Sequence, residues 1–198
     1  IAKAKSQPEK VRQVIDKIKT EGMVPTLEAV FKKLDEPLPL GYCNVGEVIE
    51  VGEGVDGLNV GNIVASNGPH AEVVCVPRNL CSKVPDGLNK AEASFTVLAS
   101  IALQGIRLVE PSLGERIVVF GAGLIGLLTV QLLRASGCEV MAIDLNEKRL
   151  SLAEKYGART CNASTTDPVT ATNSWTGGSG VDGVIITASA KTDEIMHQ

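Results

Sequence analysis

The spacing of apolar positions changes along this chain, and the changes divide it. Val11, Val14, Ile15 and Ile18 recur at helical intervals behind Ser6-Gln-Pro-Glu9, a capping-box spacing, and Gly22 supplies a stop. Leu27, Val30, Phe31 and Leu34 repeat the pattern and end before Pro37. Both stretches predict amphipathic packing helices with Lys and Glu on the solvated face. From Gly41 to Pro85 the apolar runs are short and punctuated by glycine. Strands are predicted at Gly46–Val51, Asn62–Ala65 and Ala71–Val76, with turns at Gly52–Gly54 and Asn67–Pro69, a spacing that predicts a small β-barrel. A longer apolar helix is predicted over residues 91–109. Beyond it strands at 117–121, 139–144, near 159–161 and 181–187 alternate with helices at Leu127–Ala135 and 147–156. Such alternation predicts an α/β fold with a doubly wound parallel sheet.

The junction of the first of these strands with its helix carries the most specific chemistry. Arg116-Ile-Val-Val-Phe-Gly121-Ala122-Gly123-Leu124-Ile125-Gly126 is a β-branched strand running directly into G-x-G-x-x-G and an apolar helix. Each glycine has a reason: Gly121 for a tight turn, Gly123 for close approach of backbone to a pyrophosphate, Gly126 for close helix–strand packing. The helix N-terminus adds unpaired N–H groups and a positive dipole end. Glu139-Val-Met-Ala-Ile-Asp144 then ends on an acid about 20 residues on, where a carboxylate accepts from the ribose 2′-OH of NAD. A glycine-rich turn alone is weak. Strand, glycines, helix, second strand and acid in this order predict dinucleotide binding, with NAD as the cofactor and Leu145 bordering the acid.

Composition narrows the class without changing it. A formal net charge of -4 offers no attraction to nucleic acid or an anionic membrane surface, and no apolar run approaches bilayer length. Five cysteines, at positions 43, 75, 81, 138 and 161, form no C-x-x-C pair and sit mostly among apolar strand residues. Reduced, buried thiols in a cytoplasmic protein are the expectation. The sequence opens on Ile1 and closes on Asp193-Glu-Ile-Met-His-Gln198, and a doubly wound sheet needs about six strands. The expectation is a chain cut at both ends, with further strands beyond Gln198 and an open edge on the fourth strand that invites self-association.

Taken together, these residues resemble the medium-chain dehydrogenase/reductase superfamily, which contains the zinc alcohol dehydrogenases. Gly41-Tyr42-Cys43-Asn-Val-Gly46-Glu-Val48-Ile-Glu-Val51-Gly52 is similar to its G-H-E-x-x-G-x-V-x-x-V-G motif. His70-Ala-Glu72-Val-Val-Cys-Val76-Pro77, Val84-Pro85-Asp86-Gly87-Leu88 and the glycine turn follow in the family's order. The resemblance covers Pro37 to about Ser189. It implies a partial GroES-like catalytic domain over residues 37–90 and a Rossmann domain over 91–198, behind a helical preface at 1–36. That preface, followed by Pro37-Leu-Pro-Leu-Gly-Tyr42, looks like a branch in which the module is fused to a second dehydrogenase-type domain.

The departures from the family bear on chemistry. Its zinc-dependent members carry a His ligand and then a Glu after the first glycine; here stand Tyr42 and Cys43. A Cys ligand is implied near Thr96, and the lobe of a four-Cys structural zinc is absent between Ala65 and His70. Tyr and Thr are poor zinc donors, so no metal is expected. Without zinc, the alkoxide left by hydride transfer needs another donor. Tyr42 takes the ligand's place and can offer its phenol; a packing Tyr with a bonded hydroxyl is the alternative. Ser100 aligns with a hydroxyl residue bordering the nicotinamide, or is a helix Ser bonding back to a carbonyl. His70 is a candidate by residue type but sits on a motif strand, where a structural role is the plainer account; His197 is given no role. By resemblance Arg149 reaches the adenosine ribose, against a plain surface Arg, and Thr187 and Ala188 border the crevice at the end of the fourth strand.

These readings converge on a zinc-free NAD(H)-dependent oxidoreductase acting on a small-molecule alcohol/carbonyl pair, with a sugar or polyol derivative as the finer expectation. Two others stay open. Reduction of an activated double bond, as in zinc-free quinone and enoyl reductases, goes with NADP and is opposed by Asp144. A nucleotide-binding scaffold that has lost catalysis is kept open by the two replaced ligands.

Overall fold

The structure, a computed structural model, describes residues 12, 16, 18–20, 22–26, 28 and 40–189. The chain divides into two compact units, Ile1–Leu40 and Gly41–Gln198. In the first, residues 18–20 and 23–26 are helical and Gly22 separates them at φ +89°. The Gly22 N–H closes on Ile18 O at 3.0 Å, and Thr26 Oγ1 donates back to Gly22 O at 2.8 Å. The expected helix stop is therefore a left-handed glycine cap. The capping box at Ser6–Glu9 and the anchors Val11, Val14, Ile15, Leu27, Val30, Phe31 and Leu34 lie outside the described residues.

The second unit opens with a small antiparallel sheet in the order β1-β2-β3: β1 (Asn44–Glu47), β2 (Ile63–Ser66) and β3 (Cys81–Lys83). Gly46 faces Val64, and Ala65 faces Ser82. Two expectations need correction here. The first strand begins and ends earlier than Gly46–Val51. The third is Cys81–Lys83, while Ala71–Val76 is irregular despite its apolar, β-branched run. Such a run marks a segment able to be buried, but a strand also needs a neighbouring backbone to bond. β2 spends its second edge on β3, and Ala71–Val76 turns Val74 and Val76 over Gly68 instead. Exposed Cys75 follows from this, so only Cys138 and Cys161 of the five thiols are buried, against the expectation of buried thiols throughout.

The helix expected over 91–109 is two: α1 (Lys90–Ala93) and α2 (Thr96–Val109). At the break, Ser94 Oγ bonds back to Ala91 O at 2.6 Å and Phe95 N–H reaches only to Glu92 O. A serine competing for backbone carbonyls tightens the turn and re-aims the chain. α2 ends on Glu110, left-handed at φ 52°, ahead of Pro111.

The rest is a four-stranded parallel sheet with strands β4 (Arg116–Phe120), β5 (Glu139–Asp144), β6 (Arg159–Asn162) and β7 (Gly183–Ile186), in the order β6-β5-β4-β7. Helices α3 (Leu124–Ala135), α4 (Glu147–Lys155) and α5 (Pro168–Thr176) make the crossovers. The pleat sends Ile117 and Val119 to one face, packed with Val130, Leu133, Val140 and Ala153, and Val118 and Phe120 to the other, with Met141, Ile143 and Trp175. Both faces are covered, which is why β4 reads as a continuous apolar run rather than an alternation. Each Val or Ile so buried contributes roughly 1.5–3 kcal/mol. Among the described residues no helix is long and apolar enough to cross a membrane.

Candidate functional site

At the C-terminal end of β4 the three glycines of the turn meet different surroundings. Gly121 takes φ +94°, and a Cβ there would lie 2.8 Å from Ala188 N. A Cβ on Gly126 would lie 1.8 Å from Gly121 O, so only glycine lets α3 come this close to the turn. Gly123 is the opposite case: it is extended, at φ -72° and ψ -169°, and an added Cβ would meet nothing within 4 Å. Gly123 is also the N-cap of α3, with no side chain bonded into the first turn. The N–H groups of Leu124 and Ile125 begin a helix whose positive end faces that open space, the setting in which a phosphate is held. The residues fit the pyrophosphate of a dinucleotide.

Asp144 ends β5 beside this turn. Its Oδ2 accepts the Ala122 N–H at 2.8 Å and its Oδ1 accepts the Asn146 N–H at 2.9 Å. Arg149, on the first turn of α4, brings Nη1 to 3.6 Å from Asp144 Oδ2. Arg149 is carried there by the Asn146 cap, whose Oδ1 accepts from the N–H groups of Lys148 and Arg149. Sequence reasoning did not single out Asn146; an Asn just before a helical run is the available signal. Leu145, beside the acid, is largely exposed. From the other flank of β4, Thr187 follows β7 and Ala188 packs on Gly121. Thr187 Oγ1 lies 2.7 Å from Gly121 O and 3.1 Å from Phe120 O, as donor to both.

The expected cofactor residues thus gather at one sheet end, and the expected proton donors are carried by other elements. Tyr42 is exposed just before β1. Ser100, exposed on α2, donates to Val97 O at 2.7 Å, the back-bonded arrangement open to a helix serine. His70 lays its ring against Gly41: a Cβ there would be 2.2 Å from Nε2, and Gly41 has φ +72°. Thr96 Oγ1 is spent on Ala93 O at 2.6 Å. Among the described residues no three His, Cys, Asp or Glu side chains come together to hold a metal. A phenol and a bonded hydroxyl at the positions of an imidazole and a thiolate do not fit zinc.

A parallel sheet in the order β6-β5-β4-β7, with a glycine turn ending its central strand, defines a doubly wound nucleotide-binding type of domain behind a small β unit. Comparison with known proteins extends this. A family model described as "Zinc-binding dehydrogenase" matches residues 125–194. (R,R)-butanediol dehydrogenase of Bacillus subtilis is 30% identical over 174 residues, 74% of this chain and 50% of that protein. D-xylulose reductase A of Aspergillus oryzae is 29% identical over 62% of this chain and 43% of its own length. The solved structure of the alcohol dehydrogenase TADH from Thermus sp. ATN1 superposes with a TM-score of 0.73 at 26% identity, covering 79% of this chain and 56% of that one. The chain belongs to the medium-chain dehydrogenase/reductase superfamily, with its GroES-like and Rossmann folds. It spans about half the length of the curated relatives it matches.

Proposed function

We propose that the protein carrying this chain is an NAD(H)-dependent oxidoreductase interconverting an alcohol and a carbonyl, a sugar or polyol derivative, without catalytic zinc. Residues 91–198 act as its cofactor domain, 37–90 as a catalytic domain and 1–36 as a preface. The observation that carries the reading is the open Gly123 beside a fixed Asp144: a helix N-terminus facing open space, with a carboxylate held at the end of the neighbouring strand. Relatives named as dehydrogenases and a reductase for butanediol and xylulose support the alcohol/carbonyl class.

When bound, the nicotinamide supplies hydride transfer at its C4. In this reading the glycine turn and the start of α3 bind the pyrophosphate and Asp144 takes the ribose hydroxyls. The Tyr42 phenol donates the proton to the carbonyl oxygen, and Ser100, whose own proton goes to Val97 O, offers its oxygen to the nicotinamide side.

NADH oxidation is to be assayed with a panel of ketones, aldehydes and ketoses. Turnover with at least one, falling about 10²-fold or more in Tyr42→Phe with NADH affinity kept, is the expected result. NADH binding with no turnover of any carbonyl would reduce the protein to a scaffold. NADPH-driven quinone reduction would move it to the reductases.

A further inference from the structure

Two hydrogen bonds described above act on the same peptide unit. The carbonyl of Gly121 accepts the Thr187 hydroxyl at 2.7 Å, and the N–H of the next residue, Ala122, donates to Asp144 Oδ2 at 2.8 Å. One partner follows β7 and the other ends β5, the two strands flanking β4. Such a peptide needs holding. Gly121 sits at φ +94°, where glycine turns freely, and it opens the segment that leads into Gly123. Its carbonyl is buried against Gly126, which has no side chain to offer. Without the Thr187 hydroxyl, a buried oxygen would lose a bonding partner. It would relieve that by turning to the open side of the turn, and would carry the following N–H groups away from an anion seated there.

We infer that Thr187 is a positioning residue: with Asp144 it clamps the Gly121–Ala122 peptide from both sides and so sets the shape of the pyrophosphate cradle, without touching the ligand through its side chain. Asp144 then has a role in the empty protein besides meeting a ribose. The inference rests on the dinucleotide reading of the site.

Thr187→Val keeps the side chain's shape and removes its donor, while Thr187→Ser restores the donor. ADP-ribose and NADH are titrated into the unmutated protein and both variants, with melting of the ligand-free proteins and amide exchange at Ala122 followed alongside. Thr187→Val is expected to weaken ADP-ribose binding about tenfold and to speed exchange at Ala122, with Thr187→Ser within about threefold of the unmutated protein on both. If the valine methyl crowds Gly126 and the variant melts early, Thr187→Ala removes the hydroxyl without adding bulk and is read by the same titration. Unmutated protein that binds ADP-ribose, with Val and Ala variants binding it equally well, overturns the clamp alone. Unmutated protein that binds neither ligand overturns the dinucleotide reading and the clamp with it.

Discussion

Arg149 Nη1 stands 3.6 Å from Asp144 Oδ2, but the two partners are held very unequally: the Asp144 side chain is 9% exposed and Arg149 is 55% exposed. A pair with one partner this open contributes about 0–1 kcal/mol, and salt screens it. The carboxylate, pinned by two backbone N–H groups, therefore decides what approaches the end of β5.

A phosphate on the ribose 2′ position would meet that carboxylate at close range, so NAD(H) is expected to bind more tightly than NADP(H). Asp144→Ser or Asp144→Gly should weaken NAD and narrow the preference at least about tenfold, since the repulsion goes and Arg149 is left to face the phosphate. Arg149→Ala alone should move NAD affinity only about two- to threefold. Fluorescence titration with both cofactors checks this, and equal or tighter NADP binding to the unmutated protein would sink the assignment.

The second and third glycines of the turn should separate binding from folding. Gly123→Ala adds a methyl to open space in a backbone conformation any residue adopts, so stability should stay within about 0.5 kcal/mol while dinucleotide binding falls about tenfold or more. Gly126→Ala gains about 1 kcal/mol of helix propensity but forces a carbon to within 1.8 Å of Gly121 O, which costs roughly 1–3 kcal/mol or more. The clash wins, because the atom it meets is backbone and cannot rotate aside. Melting curves with and without ADP-ribose distinguish the two; a stable Gly126→Ala would contradict the packing described here.

Thiol chemistry should follow burial. Burial pushes the thiols of Cys138 and Cys161 above the ordinary value of 9.0; the charge of Glu115 adds to the first against Arg134, and Asp167 adds to the second. A raised thiol keeps its proton longer in the folded protein than in the unfolded one. Its contribution to stability is then complete below pH 9.0 and is lost as pH rises through the higher folded value. With an aromatic disulfide reagent at neutral pH, exposed Cys75 should react first, half-buried Cys43 and Cys81 more slowly, and Cys138 and Cys161 only on unfolding. Early labelling of Cys161 would show the α5 side of the sheet to be open.

Zinc is a further test of the proposed chemistry. With Tyr42 and Thr96 where an imidazole and a thiolate are implied, the purified protein should carry well under one zinc per chain, and a chelator should change neither melting nor turnover. About one zinc per chain, lost in Cys43→Ser, would replace the phenol mechanism by a metal one.

What the sequence determined by itself lies between Arg116 and Asp144. There the strand, the glycine turn, the helix and the second strand are near neighbours in the chain, and each step is dictated locally: β-branched residues for β4, positive φ at Gly121, and an uninterrupted apolar run because both faces are covered. The doubly wound parallel sheet was legible too, because its strands alternate with helices along the chain. The tertiary structure alone decided three other things. It chose Cys81–Lys83 over Ala71–Val76 as the partner of β2, because an apolar, β-branched run measures the capacity to be buried and pairing is settled by which backbone arrives. It broke the helix at Ser94, where a hydroxyl outbid the regular bonding. It also brought the Thr187 hydroxyl onto Gly121 from 66 residues away. No local pattern encodes that contact; it exists only because two parallel strands end side by side.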